Sequence, residues 1–262
     1  MYQTYDTEKS EYSYLKSKMM HPDRLTTLIS QFEITAKRLP IHEGSNLALR
    51  QVDGKLERLY LVFNSKSSLD FTGAEFVNLH FDLGGNDNPL VQALPPVIEV
   101  NLTNEKAIAS ITQLILAESA THRCGGDIVL NRLCELLFVN ILRHHIETHG
   151  AQTGMFAGLA HPKLCHAVVA MHDNPGERWQ IDDLMRLAGM SRSQFMAEFQ
   201  SIVGKTPIAY LKQWRMVLAR NEVLKGTRVN EIARRFGYSN GDAFCRAFAA
   251  TFGSAPTKYV NG

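Results

Sequence analysis

Residues 181–203, IDDLMRLAGMSRSQFMAEFQSIV, and residues 229–252, VNEIARRFGYSNGDAFCRAFAATF, follow one plan. Ile181, Leu184 and Gly189 of the first recur 48 positions later as Val229, Ile232 and Gly237. After one extra residue in the turn, Phe195 and Phe199 recur as Phe244 and Phe248. A Gly between two short amphipathic segments supplies the backbone freedom a tight turn needs, and apolar pairs at i, i+4 give each second segment one buried face. Each stretch is therefore predicted to be a supporting helix, a glycine turn and a helix anchored by phenylalanines.

The opposite face of each second helix is what would meet a partner. In the first, Ser193, Met196, Ala197 and Gln200 lie away from Phe195 and Phe199, with Ser191 as N-cap and Arg192 and Gln194 beside it. In the second, Asp242, Ala243, Arg246 and Ala249 project away from Phe248 and Phe252, while Asn240 is placed as cap next to Gly241. These are candidate groove residues for double-stranded DNA, Arg246 foremost, because a guanidinium pairs with guanine through two hydrogen bonds. Between the units, Pro207 suits a first helical turn, Tyr210, Leu211, Trp214, Leu218 and Leu224 keep a helical period, and Gly226 ends it. A connector over 207–225 spans roughly 28 Å, near the roughly 34 Å between successive major-groove faces. The rival reading is an all-helical bundle whose phenylalanine stripes are only core.

The landmarks Trp179, Ile181, Leu184, Ala188 to Ser193, Phe195, Phe199, Gly204, Pro207, Tyr210, Leu211, Trp214 to Met216, Ala219, Leu224, Ile232, Ala233, Gly237, Tyr238, Phe244, Arg246, Phe248, Phe252, Gly253, Pro256 and Tyr259 resemble the DNA-binding domain of the AraC family of transcription regulators. The resemblance implies two helix-turn-helix motifs per chain, each placing its second helix in the major groove. This sequence departs from the family pattern at Ala197, Ala249 and Ala250, where polar or basic residues are common. The ending Ala255 to Tyr259 also lacks the usual Ser before Pro and Arg after Tyr. A modest affinity per chain is expected, with dimerisation or adjacent sites raising occupancy.

Charge follows the same division. Residues 161–262 hold 14 Lys and Arg against 8 Asp and Glu, whereas residues 1–160 hold 14 against 18. A basic domain suits phosphate contact and salt-dependent binding, although the same excess also keeps a domain soluble. With 262 residues and 45% hydrophobic content, two domains are expected. The sequence has no 18-residue apolar run and no cationic-then-apolar N-terminus, which predicts a cytoplasmic protein without a membrane partner. Cys124, Cys134, Cys165 and Cys245 form no CxxC pair and are read as free thiols.

In the first half, Met1 to Lys18 reads as a tail and Asp23 to Phe32 as a short helix. Phe32–Ala36, Asn46–Arg50 and Leu59–Phe63 lean toward strands, Val52-Asp53-Gly54-Lys55 is a hairpin signal, and Glu75–Asp82 alternates as one strand before Gly84-Gly85. A small antiparallel sheet or barrel over about 31–100 is predicted. Helices follow at Glu105–Ser119, with Ile108, Ile111, Leu114 and Ile115 on one side, and at Ile128–Ile146. The second is more apolar than one core stripe requires. Leu130, Leu133, Leu137 and Ile141 are therefore candidate homodimer residues, with a wholly intramolecular core as the rival.

Asn88-Pro89-Leu90, Ala93 to Pro96, and the run Leu130, Arg132, Leu133, Glu135 to Val139, Leu142 and Arg143 resemble the cupin-type sensor domain of one branch of AraC regulators. His161-Pro162, Ala170 to His172 and Pro175 continue the likeness. The front of the cupin pattern, with its HxxxxG and GD-type turns, is unmatched, which points to a shortened sensor or reduced pocket. His21, His42, His80 and His122 are isolated, and His144, His145 and His149 lack a carboxylate at ligand spacing, so no metal or other cofactor is assigned. GxSxG, HExxH, GxxxxGK[ST] and GxGxxG elements are missing, and no catalytic residue is assigned.

The expected protein is α+β in two domains. A tail (1–22) precedes a cupin-like sensor and dimerisation domain (23–150, helices about 103–149), a linker (151–162) and an all-α double helix-turn-helix domain (163–262). It is read as a non-enzymatic, sequence-specific transcription regulator; the family resemblance favours activation, with contact to RNA polymerase in that case, and leaves room for a small-molecule effector. The alternatives are a ligand-independent dimeric regulator and a cupin-type enzyme with a helical appendage.

Overall fold

The computed structural model describes residues 23–32, 34–39, 44–63, 73–83, 89–149 and 153–259. The tail Met1 to Lys18, His21, His42, the Gly84-Gly85 break and the side chain of His149 lie outside the described residues. Contacts divide the chain into two compact units, Phe32–Gly150 and a second that joins Ala151–Gly262 with the segment ending at Gln31.

The first unit is sheet-rich. Strands β1 (Thr35–Arg38), β2 (Leu47–Val52), β3 (Lys55–Val62), β4 (Ala74–Phe76), β5 (Leu79–Asp82) and β6 (Val97–Asn101) form two open antiparallel sheets, β4-β2-β3-β6 and β1-β5. The β2–β3 hairpin is closed by Asp53 (φ 51°) and Gly54 (φ 73°), with Val52 opposite Lys55. Two successive positive φ values match the twist of the flanking strands, which is why an Asp-Gly pair sits there. Leu47, Leu49, Leu59 and Leu61 are buried on one face, while Ala48, Tyr60 and Val97 form a cluster on the other.

Glu75–Asp82 is two strands and not the single strand that its alternation predicts. Val77 N–H bonds to Leu47 O, and at the next residue Asn78 O accepts from Leu39 N–H, so the chain changes sheets between them. Ser45 Oγ donates across this corner to Leu79 O at 2.9 Å. Alternation survives the switch because Leu79 and Phe81 still point inward. Likewise β1 begins at Thr35, later than the Phe32–Ala36 run, and no closed barrel occurs among the described residues.

A short helix α2 (Pro89–Ala93) precedes β6, and α3 (Lys106–Ser119) packs on α4 (Gly126–His149), which also covers β1. Asn131 Oδ1 accepts the Ala36 N–H, and Arg38 binds Asp127 and the Ser119 and Thr121 carbonyls, each at 3.1 Å. Leu130, Cys134, Leu137, Phe138, Ile141 and Leu142 line the buried side of α4.

The second unit is helical. Helix α1 (Thr26–Ser30) packs on α6 (Leu164–Asp173), and Asn221 Nδ2 donates to Gln31 O at 3.3 Å. Sequence patterning groups Asp23–Gln31 with the sheet and reads 151–162 as a linker. In the structure the first segment contacts the helical unit, and the second contains α5 (Met155–Ala160), buried from Met155 through Leu159. A Cβ at Gly158 would stand 3.0 Å from Val203 and 3.3 Å from Val168, which shows how closely α5 is packed.

Candidate nucleic-acid interface

Helices α7 (Ile181–Ala188) and α8 (Arg192–Val203) make the first helix-turn-helix; α10 (Val229–Arg235) and α11 (Gly241–Phe252) make the second. Between them runs α9 (Pro207–Leu224), and α12 (Pro256–Tyr259) closes the described chain. Reciprocal bonds between Gln180 and Asp183 start α7, and Gly189 ends it in the left-handed conformation at φ 60°. Ser191 Oγ then accepts from Gln194 N–H at 3.4 Å, while Asn240 Oδ1 accepts from Ala243 N–H at 2.8 Å. Both caps predicted from sequence therefore form, the second with the tighter bond.

The buried faces also match. Phe195, Phe199 and Val203 anchor α8, and Phe244 and Phe248 anchor α11. Phe199 stacks edge-on against Tyr210, and Phe248 does so against Tyr259, with ring centroids 5.8 and 5.5 Å apart. Behind the first unit, His172 is fully buried, with Nε2 2.6 Å from the Tyr210 hydroxyl and its ring 4.2 Å from Trp214. Burial pushes the His172 pKa down to about 3 and the Tyr210 pKa up, so both are neutral. Behind the second unit, Arg220 Nε donates to the Tyr259 hydroxyl at 2.6 Å.

On the outer face of α8, Ser191, Arg192, Ser193, Gln194, Ala197 and Gln200 are exposed and Met196 is half-buried. The longer polar side chains among these have partners in the chain: Arg192 with Asp182 at 2.7 Å, Gln194 with Glu198 at 2.9 Å and Gln200 with Gly204 O at 3.3 Å, while Ser191 and Ser193 lie 3.4 Å apart, hydroxyl to hydroxyl. On α11, Asn240, Asp242, Arg246 and Ala250 are exposed, whereas Ala243 and Ala249 are half-buried. Gly241 is half-buried, and a Cβ there would collide with Asn230 of α10. Arg246 has no ion pair among the described residues.

Sequence periodicity did not single out Arg178 or Arg234. Both are exposed and line a groove of about 490 Å³ with Asn230, Tyr238, Ser239 and Asn240, beside the start of α11. Arg178 lies in the α6–α7 loop, outside any periodic element, so only the basic character of the region hinted at it. Other arginines are internally paired: Arg186 with Asp183, and Arg235 with Glu222 and Glu231.

The four residues expected on a dimer face are placed differently from one another. Leu130, Leu137 and Ile141 belong to the core of the first unit, at 1%, 0% and 0% exposure, and Leu133 is half-buried. The large apolar side chains that face outward are Ile128, Val129 and Leu136 on α4 and Leu114 on α3. The reason is angular: α3 and β1 take the stripe through Leu130, Leu137 and Ile141, which leaves Val129, Leu133 and Leu136 on another side. In the same unit, Ser45, Asn46, Val62, Phe63, His80 and Asp82 help line an open cleft of about 420 Å³. His80 Nδ1 is 2.8 Å from Gly44 O, and His144 pairs with Glu105 at 3.1 Å. Among the described residues no group of three or more His, Cys, Asp or Glu is arranged to hold a metal ion. The four cysteines are free, and burial pushes the Cys134 thiol up to about 12.

Two capped helix-turn-helix units on one connector define a class, the tandem helix-turn-helix DNA-binding proteins. Residues 184–262 match the helix-turn-helix domain family, and residues 45–147 match a cupin family. The transcriptional regulator AlkR of Acinetobacter baylyi is 32% identical over 202 residues, 75% of this chain and 64% of that protein. The RCS-specific transcriptional activator RclR of Escherichia coli is 30% identical over 143 residues, 54% of this chain and 50% of that protein. A solved AraC-type regulator structure from Chromobacterium violaceum is 28% identical and covers 38% of this chain and 90% of its own, with a TM-score of 0.36. This chain belongs to the AraC family, with a cupin-like domain ahead of its DNA-binding domain. It spans half to two thirds of the length of the two relatives.

Proposed function

We propose that the protein is a sequence-specific, non-enzymatic transcription regulator in which α8 and α11 enter successive major-groove segments of one duplex. The observation that carries this reading is the pairing of two capped helices, each with phenylalanines inward and an exposed outer face, on one connector. Arg246 contacts a base edge or phosphate, and Ser191, Arg192, Ser193, Gln194, Met196, Ala197, Gln200, Asn240, Gly241, Asp242 and Ala243 make up the rest of the approach surface. Activation, and with it contact to RNA polymerase, is favoured by the activator among the relatives. A cytoplasmic location fits such a role; among the described residues no helix is long and apolar enough to cross a membrane.

The cupin-like domain supplies control. Its cleft, with His80, Asp82 and Asn46, is the place for a small-molecule effector. Homodimerisation uses the outward stripe Val129, Leu133 and Leu136 of α4, with Leu130, Leu137 and Ile141 shaping that helix from beneath. Selection of duplexes from a random pool by the full chain, followed by titration at two salt concentrations, tests the reading. A selected sequence that outcompetes its scrambled version, with affinity falling as salt rises, supports it. No preference over the scrambled duplex at low salt would contradict it.

A further inference from the structure

The α6–α7 loop is wedged against the turn of the other helix-turn-helix unit. Trp179 Nε1 donates to Asn174 O at 3.0 Å and closes the loop on itself. Arg215, in the middle of α9, reaches the loop with its fork: Nε donates to Pro175 O, and Nη2 donates to Glu177 O at 2.7 Å. The same guanidinium lies by the second unit's turn, because a Cβ on Gly237 would stand 3.4 Å from Arg215 Nη2 and 2.7 Å from Gly176 O. From the loop side, a Cβ on Gly176 would collide with the Arg235 carbonyl oxygen. Gly237 also holds φ 75°, where a side chain would be strained. Backbone therefore meets backbone at Gly176 and Gly237, with a half-buried arginine bonded to the loop and lying beside the turn.

This arrangement joins parts that the sequence separates. Gln180, at the end of the loop, caps the first helix of unit one, and Gly237 opens the turn that leads to the reading helix of unit two. The connector helix alone fixes the distance between units but leaves each unit's rotation about its contact with α9 to side-chain packing. A two-carbonyl fork, combined with a contact too close for any Cβ, removes that freedom, since a planar guanidinium imposes direction as well as attraction.

We propose that Arg215, Gly176 and Gly237 form a clamp that sets the rotational phase between the two reading helices, and so the spacing of the two DNA elements the protein accepts. The proposal rests on the two-reader function above and adds Arg215 as a positioning residue that need not touch DNA. Its signature is separable from loss of binding. A loosened clamp leaves each helix able to read its own element but relaxes the demand on the distance between them.

The test uses the full chain and duplexes selected by it from a random pool. The selected site is rebuilt with one base pair inserted or removed between its two elements. Wild type is expected to lose at least about tenfold in affinity on the altered spacing, comparable to a mismatched base pair. Gly176→Ala and Arg215→Ala are expected to prefer the same two elements but to lose less than about threefold on that change. Arg215→Lys keeps the charge without the fork and is expected to fall between. Helical content and melting of each variant are measured first, and Arg215→Lys carries the test if the other two do not fold. Folded variants that keep the full wild-type spacing penalty would overturn the clamp alone. A wild type that selects a single element would overturn the two-reader function, and the clamp with it.

Discussion

The two helix-turn-helix units share a hydrophobic plan and differ in how that plan is supported and in what it presents. In the first, the supporting helix is held at both ends, by the Gln180–Asp183 box and left-handed Gly189, and the outer side chains Arg192, Gln194 and Gln200 have partners in the chain. In the second, α10 has no side-chain cap, its turn leans on the Gly176 loop, and Arg246 stands without an ion pair among the described residues. The contrast teaches that duplication of buried positions fixes a shape, while the outer residues decide which copy is chemically available. A charge already paired must give up that partner before it meets DNA, and an unpaired guanidinium need not.

The largest expected effects test the shared plan. Phe195→Ala and Phe244→Ala each remove a fully buried ring, and each should cost about 3 to 5 kcal/mol of unfolding free energy. Denaturant melts that gave one variant a cost below about 1 kcal/mol would show that the two anchors are not equivalent.

Acid should separate the units next. The first is backed by His172 and the second by Tyr259 with Arg220. Because the folded pKa of His172 is depressed from 6.5 to about 3, the unfolded chain binds the proton first, so stability is full above about pH 6.5 and falls as pH drops toward 3. Between pH 7 and pH 5 the expected loss is about 2 kcal/mol. It should be smaller in His172→Leu, measured by denaturant melts at both pH values. Equal losses in the two proteins would remove His172 as the cause.

DNA binding should then show the difference in availability. Arg246→Ala is expected to weaken the selected site by about 1 to 3 kcal/mol, and Arg192→Ala by less than about 1, since its exposed pairing with Asp182 already competes for the guanidinium. A larger effect at Arg192 would reverse the comparison. The smallest effect concerns the caps: Asn240→Ala should cost about 1 kcal/mol of stability, and Ser191→Ala less, in line with bonds of 2.8 and 3.4 Å. Equal melting shifts would show that cap geometry does not grade them.

What the sequence made legible was local. Gly189, Ser191, Asn240 and the Asp53-Gly54 hairpin announce turns because each requires a particular residue at a particular backbone angle. The phenylalanine stripes were legible for the same reason, since period and face lie within one helix. Contacts between distant segments were not. Nothing in the string Pro175-Gly176-Glu177-Arg178 says that it will meet Gly237, and neither the direction of α4's buried stripe nor the corner at Val77 follows from alternation alone. Helix α5 escaped because six residues with a central Gly158 carry little periodic signal.

The central claim is that one chain reads two groove segments with unequal chemistry. Hydroxyl-radical footprinting of the full chain on its selected duplex tests it most directly, with wild type and Arg246→Ala compared at equal occupancy. The account predicts two protected windows per chain, about one helical turn apart on the same face, with the window at one end weakened selectively in the variant. A single window, or uniform loss across both, would contradict it.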